Sequence, residues 1–547
     1  MPRPSHDAPL PRPVALVAFA LLVLLPGLGR RDVITSHEAR VVQTARQMAA
    51  SGWPWAAEPV RVPVVALVAV TDIKIERLKR TGEGDRLVNP WLVPVLVGNV
   101  RLQKPPLPYW CSAVCIKVLG DGAWQARLPM AVCGALSAGL VYGIARRAFG
   151  RRAGWLAGLA WVSLYFAFDE HRKAMADPVL SFCCLLAVWA WVRWATRQAG
   201  RSASRSLLDA MTFYVPLALA NLAKGPVAIA LVGVALATFH LCLRRRLPGR
   251  WWHHVAGLIA FAAVALPWPA YVVATVPHAV ALWRYESVGR FDDNVEKARA
   301  WWFYGPTWLQ ILLPWTPLWV ACAWVGVVRW ARATRRRSAG SGHLRRHLWP
   351  VLWAAAALLF FSASHVKKPA YLLPVVPAAA VTVGLGMRRL SALARARRHR
   401  FPAWGWPASA AVVALATALL FDLALAPADN RRSAKAVATE ACSILAAGGH
   451  SIGTNDLSEE VAVYLSVDVR GAVPASARTS PKVLFVWDDL DGVAARRRGQ
   501  PFKRFDPTGW MIDGGRVTAF RRLPIPKNPG DVRWQLWELT VERSGTP

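Results

Sequence analysis

Apolar segments of membrane-spanning length recur along the first 425 residues, and they constrain the fold more than any other feature of the chain. A helix that crosses a bilayer needs about 20 mostly apolar residues. With 54% hydrophobic residues and 29 tryptophans among 547 residues, the chain is too apolar for a soluble protein. We therefore predict an α-helical polytopic membrane protein with about 11 to 13 transmembrane helices. The candidate spans lie at about 14–29, 127–145, 153–168, 177–196, 207–223, 225–243, 252–275, 307–328, 348–364, 370–387 and 404–425.

The net charge of +35 lies in short clusters between the apolar segments, not in a stripe that would fit nucleic acid. With the N-terminus inside, the inside segments carry 27 basic residues and one acid, Asp7. The outer loops carry both positive and negative charges. This difference between the two sides is the positive-inside pattern. It predicts a membrane protein with a cytoplasmic N-terminus, an extracytoplasmic C-terminus and no nucleic-acid partner. The inside segments are 1–13, 146–152, 193–206, 244–250, 329–347 and 388–400.

The apolar run Pro105–Leu119 overlaps the stretch RLQKPPLPYW (101–110) and is hydrophobic enough to suggest another span. Counting it as a span would move the later arginine clusters to the outside, against the positive-inside pattern. We therefore predict a helix that lies on the outer membrane surface and is interrupted by Lys117. Lys104 then lies at the outer headgroup level, where Pro105 and Pro106 fix the backbone beside it.

The composition changes after residue 425 and divides the chain into two domains. Residues 1–425 are predicted to form a membrane domain, with a first outer loop and juxtamembrane helices at about 30–125. Residues 426–547 are predicted to form a small extracytoplasmic α/β domain. Its predicted elements are strands at Lys482–Trp487 and Val517–Phe520 and a helix at Ser433–Ala447.

Ionisable residues collect near the outer ends of the predicted spans, whereas an ion-driven transporter usually carries them near the midplane. This distribution favours a reaction at the membrane boundary over a path through the membrane. Glu38 in SHEAR (36–40) is either a general base or the N-terminal acid of a helix capped by Ser36. Lys104 either binds a lipid phosphate as a point charge or extends to the headgroups like any lysine at that depth.

Asp177, at the end of EHRKAMAD (170–177), opens a predicted span. A carboxylate is costly there unless it is paired, and Arg172 or Lys173 is the predicted partner. The alternative for Asp177 is a purely structural ion pair or helix cap. Lys224 in LAKGP (222–226) either belongs to the site or marks a break between two spans. Together these residues predict a cationic pocket with carboxylates beside lipid, which suits an enzyme that uses a phosphate-linked lipid.

Several motifs, in order along the chain, resemble a known family. They are ARQMAASGWPW (45–55), WLVPVLVGNVRLQKPPLPYW (91–110), RLPMAVCGAL (127–136), ARRAFGRRAG (145–154), RKAMAD (172–177), LAKGP (222–226) and SHVKKPAYLLPVVP (364–377). The chain resembles the polyprenyl-phosphate-sugar-dependent membrane glycosyltransferases of the aminoarabinose transferase and protein O-mannosyltransferase superfamily, of the GT-C type. The resemblance covers roughly residues 14–390 and adds little for the C-terminal domain.

In that family a sugar moves from a lipid phosphate to an acceptor hydroxyl at the outer face, usually with inversion. The resemblance implies a base in the first outer loop, a second acid at Asp177 and a donor phosphate held by Lys104. Pre-placed cations would stabilise the charge that grows on the leaving phosphate. The residues expected in catalysis are Glu38, His37 and Asp177, and those expected at the donor site are Lys104, Arg101, Tyr109, Arg172, Lys224, Glu286, Arg290, His365, Lys367 and Tyr371.

The chain departs from the family pattern in three places. The Asp-Glu pair of the first loop is His37-Glu38 here, so that either residue could take the acceptor proton, with Asp32 as a distant fallback. In the late motif His365 replaces a usual lysine, whereas Lys367 and Tyr371 match. An apparent insertion of about thirty residues lies at about 59–90.

Two other functions stay open from the sequence. The missing aspartate is compatible with a non-catalytic lipid-binding or assembly protein on the same scaffold. A transporter of lipid-linked sugars is the other alternative, which midplane charges would favour. The expected partners of the enzyme are a polyprenyl-phosphate-linked sugar donor, a hydroxyl acceptor and membrane lipid. A divalent cation is compatible with the chemistry, although no cluster of ligand residues demands one.

Overall fold

The computed structural model describes most of the chain. The described residues are 13–62, 86–96, 99–197, 203–276, 279–287, 299–335, 341–396, 405–430, 433–446, 451–452, 482–488, 507, 511–512, 515–523 and 534–542. They fall into two compact units. The first unit contains Met1–Leu28 and Met48–Leu420, and the second contains Gly29–Gln47 and Phe421–Pro547.

The described part of the chain is mainly α-helical, which confirms the predicted fold class. In chain order the helices are α1 (Pro13–Leu24), α2 (Ser36–Ala50), α3 (Leu107–Leu119), α4 (Ala123–Phe149), α5 (Arg151–Val162), α6 (Tyr165–His171), α7 (Ala176–Ala195), α8 (Ala203–Lys224), α9 (Val227–Leu243), α10 (Trp251–Ala265), α11 (Pro267–Thr275), α12 (Ala279–Ser287), α13 (Tyr304–Ile311), α14 (Thr316–Arg335), α15 (Ser341–Ser362), α16 (Val376–Ala396), α17 (Gly405–Leu420), α18 (Ala426–Asn430) and α19 (Lys435–Ala446). Short 3₁₀ turns at Trp301–Phe303 and Pro369–Val375 precede α13 and α16, and a π-helical turn at Phe421–Leu425 precedes α18.

Nine strands accompany the helices in the described residues. They are β1 (Val60–Val62), β2 (Arg86–Val88), β3 (Val95–Leu96), β4 (Asn99–Val100), β5 (Ser451–Ile452), β6 (Lys482–Asp488), β7 (Met511–Ile512), β8 (Gly515–Leu523) and β9 (Trp534–Glu542).

By length and composition, six described helical segments are able to cross a membrane, so the chain is a multi-pass membrane protein. A bent pair, Trp301–Ile311 with Thr316–Arg335, raises the number to seven if it counts as one span. This is fewer than the eleven segments predicted, because several predicted spans are shorter or broken. The six segments are Ala123–Phe149, Ala176–Ala195, Ser204–Lys224, Trp251–Thr275, Pro369–Ala394 and Gly405–Asn430.

The predicted span at 153–168 is one of those that the structure breaks. Helix α5 ends at Val162, and Leu164 has an extended backbone before α6 begins. The hydroxyl of Ser163 donates to the carbonyl of Leu159 at 2.9 Å and accepts the indole N–H of Trp315 at 2.8 Å. The break is therefore fixed by buried hydrogen bonds and separates two short helices.

Helix α3 corresponds to the helix predicted along Pro105–Leu119, and at 13 residues it is shorter than a span. The prediction that Lys117 interrupts this helix was wrong, since Lys117 lies in its last turn. A cation there is favourable to the carbonyl end of the helix dipole. The ammonium of Lys117 also donates to the carbonyl of Ala49 at 2.9 Å, which explains how the helix tolerates it.

Small residues let the helices of the first unit approach closely. Helices α5 and α16 pack together, and a Cβ added to Gly384 would lie 2.5 Å from the backbone nitrogen of Ala157. Such close backbone packing is typical of membrane helices, where small residues form the contact. Glycine is therefore required at position 384 by the closeness of α5.

Two antiparallel hairpins, β1–β2 and β3–β4, lie in the first unit between α2 and α3. Their valines join a buried cluster with Leu222 of α8 and with Trp268 and Val272 of α11. The predicted insertion at 59–90 begins and ends on the β1–β2 hairpin, and residues 63–85 lie outside the described part. The cluster anchors the segment that carries Lys104 onto α8 and α11.

The second unit contains a five-stranded sheet in the order β5–β6–β9–β8–β7. Strands β5 and β6 are parallel, and the other neighbours are antiparallel. The predicted strands at Lys482–Trp487 and Val517–Phe520 are confirmed as parts of β6 and β8, and the predicted helix at Ser433–Ala447 as α19. The unit begins near the predicted boundary at 425 but also contains Gly29–Gln47.

Candidate functional site

Asp177 and Lys224 form a buried ion pair at the ends of two neighbouring helices. Asp177 lies in the first turn of α7, where a carboxylate is favourable to the helix dipole. Lys224 is the last residue of α8, which ends because Gly225 follows with a φ of +82°. The side chains of Lys224 and Asp177 are 10% and 7% exposed. The same ammonium lies 4.1 Å from the ring centroid of Tyr371, a cation–π contact.

The predicted pairing of Asp177 with Arg172 or Lys173 was wrong. The guanidinium of Arg172 is buried and donates to the carbonyl of Pro26 at 2.7 Å, which holds the chain that follows α1. Lys173 pairs with Asp169 and with Glu170, each at 2.6 Å. Both cations lie close to Asp177 in sequence, but the helical turns aim them away from it. Arg172 therefore binds the backbone after α1, and Lys173 forms ion pairs within its own segment of the chain.

Lys224 and Tyr371 line a cavity of about 610 Å³ in the first unit. Lys104 lines the same cavity, and its role in holding a donor phosphate stays a prediction. The rest of the wall is mostly apolar and aromatic, and an aromatic, apolar wall with a few placed cations suits an amphiphilic anion. The aromatic and polar lining residues are Trp268, Trp283, Phe360, Phe361, Gln103, Asn221 and Ser364.

Two indoles hold the loop that carries Lys104. The indole N–H of Trp283 donates to the carbonyl of Leu102 at 3.0 Å, and that of Trp268 donates to the carbonyl of Leu92 at 2.8 Å. Lys104 itself is half-buried and follows directly on this braced segment. Neither tryptophan was predicted from the sequence, because two tryptophans 15 residues apart give no signal for a loop brace.

Arg101 and Tyr109, both predicted at the donor site, are buried and contact each other. The Nε of Arg101 donates to the hydroxyl of Tyr109 at 3.2 Å, and the backbone N–H of Arg101 donates to the carbonyl of Pro94 at 2.7 Å. Neither lies among the described residues that line the cavity. They link the loop to the start of α3, on either side of Lys104, and so position the lysine.

The late motif places its two other candidates differently. His365 is exposed, and its carbonyl accepts the backbone N–H of Arg299 at 3.1 Å. The ammonium of Lys367 is buried and donates to the carbonyls of Arg299, at 3.1 Å, and of Ser364. Burial lowers the pKa of Lys367. The contacts of Lys367 join two chain segments, and a role in binding the donor stays a prediction.

Of the outer-loop candidates Glu286 and Arg290, the structure describes only the backbone of Glu286. Glu286 lies in α12. Its side chain and the whole of Arg290 lie outside the described residues. Their predicted place at the donor site therefore stays a prediction.

His37 and Glu38 lie in the first turn of α2, in the second unit. The backbone N–H of Glu38 donates to the hydroxyl of Thr35 at 3.3 Å, so Thr35 occupies the capping position predicted for Ser36. Glu38 is 1% exposed, whereas His37 is exposed. The fallback Asp32 lies in a network of its own, 3.5 Å from the ammonium of Lys435.

The described residues contain no group of three or more His, Cys, Asp or Glu side chains that could hold a metal ion. Among the described residues, the charged groups at the cavity are Lys104, Lys224 and the Asp177 that pairs with Lys224.

The chain is similar to known membrane glycosyltransferases. Residues 103–268 match the family model of dolichyl-phosphate-mannose-protein mannosyltransferases. This stretch contains Lys104, Asp177 and Lys224, and the match confirms the resemblance to GT-C-type membrane glycosyltransferases that use polyprenyl-phosphate sugars.

Among particular relatives, an undecaprenyl phosphate-α-4-amino-4-deoxy-L-arabinose arabinosyl transferase of Pseudomonas fluorescens is 27% identical over 68% of this chain and 55% of its own length. The enzyme of the same name from Edwardsiella ictaluri is 27% identical over 55% of this chain and 52% of its own length. The chain thus spans about half the length of the curated relatives it matches.

The fold has a solved counterpart. The crystal structure of ArnT from Cupriavidus metallidurans bound to undecaprenyl phosphate aligns with a TM-score of 0.63 at 20% identity. The alignment covers 96% of this chain and 97% of that one. At this identity the alignment establishes a shared fold.

Proposed function

We propose that the chain is a glycosyltransferase that moves a sugar from a polyprenyl-phosphate donor to an acceptor hydroxyl, with inversion at the anomeric carbon. The observation that carries the proposal is the cavity on whose wall Lys104 and Lys224 lie among aromatic side chains. A lipid phosphate needs cations for its charge and an apolar wall for its first isoprene units, and the cavity has both.

The leaving phosphate gains negative charge as the bond to the sugar breaks. Lys104 is the proposed phosphate ligand, because its loop is braced and the half-buried residue lines the cavity. Lys224 shares its charge with Asp177 and is held over Tyr371, so it adds less net positive charge to the cavity. The pair keeps Lys224 in one place, and Asp177 is accordingly proposed to act by positioning this lysine.

The acceptor oxygen loses a proton as it attacks the sugar, which requires a base within hydrogen-bond reach. The proposal keeps the two residues that the resemblance implies, Glu38 and His37, and it favours Glu38. A buried carboxylate at a helix N-terminus is a better-fixed proton acceptor than an exposed imidazole.

The proposed site lies at the outer face of a bacterial plasma membrane, with the N-terminus in the cytoplasm. The support is the charge distribution, in which 27 basic residues lie in the segments assigned to the inside. The relatives act on undecaprenyl-phosphate-linked aminoarabinose according to their names, and the same lipid carrier is the proposed donor lipid here.

The proposal is tested with purified full-length protein and undecaprenyl-phosphate-linked sugars, by following release of undecaprenyl phosphate by mass spectrometry. We expect release of the free lipid phosphate together with a glycosylated acceptor from a cell-envelope extract. Donor binding without turnover across several sugars and extracts would instead support the non-catalytic lipid-binding protein. Movement of intact donor across a vesicle bilayer would support the transporter.

A further inference from the structure

A second cavity in the first unit lies between α1, α4 and α7. It has a volume of about 330 Å³, within the range of ligand-sized cavities. Its wall is mainly apolar, and two arginines and one indole stand on it. The lining residues are Pro13, Gly139, Leu140, Tyr142, Gly143, Arg146, Arg147 and Trp189.

This cavity is distant from the donor cavity along the same helix. Asp177 lies in the first turn of α7 and Trp189 twelve residues later, a rise of about 18 Å. Arg146 and Arg147 lie in the last turn of α4, which packs against α7. The second cavity therefore lies toward the other end of α7 from Asp177, and its two arginines belong to the segment 146–152 that the charge pattern assigns to the cytoplasm.

The electrostatics of the cavity are strongly one-sided. Arg146, Arg193 and Arg197 all lie near enough to Arg147 to repel it, and Asp209 is the acid that attracts it. Asp209 already pairs with Arg193, at 3.0 Å, and with Arg197. Two guanidinium groups thus share one carboxylate, and Arg146 and Arg147 add further positive charge beside them.

The two arginines that line the cavity are open to a ligand. Arg146 and Arg147 are both exposed. Within the described part of the chain, no carboxylate lies within ion-pair distance of either guanidinium. The guanidinium of Arg193 is stacked over the ring of Trp189, 4.9 Å from its centroid, which fixes the indole on the cavity wall.

We propose that this cavity binds an anionic phospholipid of the surrounding bilayer, with its phosphate on Arg146 and Arg147 and an acyl chain along Gly139, Leu140 and Tyr142. Basic pockets between membrane helices suit lipid headgroups in this way. The planar guanidinium fork matches two phosphate oxygens, and the apolar wall continues from the arginines into the membrane-spanning part of α4.

The apolar wall of the cavity favours a lipid over free phosphate as the occupant. Gly139 and Gly143 form part of this wall, facing α1 and α7: an added Cβ would lie 3.1 Å from Val17 Cγ2 at position 139 and 2.4 Å from Trp189 Nε1 at position 143. A soluble anion would use the arginines alone, whereas an acyl chain also contacts the wall. The site does not depend on the proposed transferase activity, because it shares no residue with the donor cavity.

The test uses purified full-length protein, freed of lipid in detergent and titrated with phosphatidylglycerol in native mass spectrometry. We expect one bound lipid, and in R146Q/R147Q an affinity that is about 10- to 30-fold lower. The matched control R151Q/R152Q removes two arginines from the adjacent turn and should keep the affinity. Donor turnover in detergent should be equal in all three proteins.

Two further arms separate the sources of the phosphate. Leu140→Trp keeps both arginines and fills part of the cavity, so it should weaken phosphatidylglycerol binding and leave inorganic phosphate binding unchanged. Equal phosphatidylglycerol affinity in wild type and R146Q/R147Q would overturn the proposal. So would competition by inorganic phosphate as strong as by the lipid, or photo-cross-links from position 140 to the first twelve residues of the chain and not to lipid.

Discussion

The ammonium of Lys224 lies 4.1 Å from the ring centroid of Tyr371 while it pairs with the carboxylate of Asp177. One cation thus joins three elements, namely the end of α8, the start of α7 and the 3₁₀ turn before α16. Because the pair is largely buried, each charge depends on the other for compensation. Removing both charges should therefore destabilise the protein less than removing one of them.

Lys224→Met should lower the unfolding midpoint strongly, because it leaves Asp177 buried without its partner, at a cost of about 3–5 kcal/mol. The double variant Lys224→Met/Asp177→Asn should recover a large part of this loss, since no buried charge remains. Thermal unfolding of the purified proteins in detergent measures both. Lys435→Met, which removes an exposed partner of Asp32, is the control and should change the midpoint little. A double variant no more stable than Lys224→Met would contradict the coupling.

Lys104→Met should weaken donor binding by about 10- to 150-fold, the loss of one charge-assisted hydrogen bond to phosphate. Lys173→Met removes the same charge from a lysine that is paired with Asp169 and Glu170, and it should bind the donor like wild type. Titration with undecaprenyl phosphate, followed by tryptophan fluorescence or native mass spectrometry, compares the three proteins. Equal affinity in Lys104→Met and wild type would remove Lys104 from the donor site.

Trp283→Phe keeps an aromatic ring on the cavity wall and removes the indole N–H that donates to Leu102. The loop before Lys104 then loses one brace, and we expect donor affinity to fall about 5- to 30-fold, with the fold retained. Trp324→Phe makes the same change at an exposed position of α14 and should have no effect on binding. If both variants bind the donor as wild type does, the indole bond does not position Lys104.

Glu38→Gln should abolish turnover if Glu38 is the base, because the amide cannot accept the acceptor proton. His37→Ala should then keep partial activity. The opposite result would assign the proton transfer to His37. Each variant is first checked for folding and for undecaprenyl phosphate binding, which neither change should affect. Near wild-type turnover in both variants would exclude the first loop as the source of the base.

Cysteines placed at positions 290 and 480 should react with a membrane-impermeant maleimide in intact cells, and cysteines at 245 and 340 should not. The expectation follows from the arginine-rich segments 244–250 and 329–347, which the charge pattern assigns to the cytoplasm. The native cysteines are replaced beforehand, and permeabilised cells serve as the positive control for 245 and 340. Labelling at 340 in intact cells would reverse the topology.

The sequence predicted the helical class and two of the five strands of the C-terminal sheet, because these follow from local patterns of hydrophobicity and β-propensity. It did not predict the partner of Asp177. Arg172 and Lys173 are near in sequence, but the partner Lys224 is 47 residues away, and its place depends on the packing of α7 against α8. Charge alone does not identify such a long-range pair.

The described helices of full span length are fewer than the predicted segments for a related reason. Hydropathy shows that 153–168 is apolar but does not show that Ser163 hydrogen-bonds back to Leu159 and forward to Trp315, which divides it. The tryptophans that brace the loop before Lys104 act through single indole N–H groups. In a chain with 29 tryptophans, composition cannot distinguish these two from those that face lipid.

The hairpin formed by β1 and β2 has one more consequence, for the evolution of the chain. Val62 and Arg86 are paired residues on adjacent strands, so the two chain ends that bound residues 63–85 lie side by side. Closing a loop across such a gap costs only about 0.6 kcal/mol more for each doubling of its length. The hairpin is therefore a position at which insertions and deletions are tolerated, while the loop that carries Lys104 stays packed against α8 and α11.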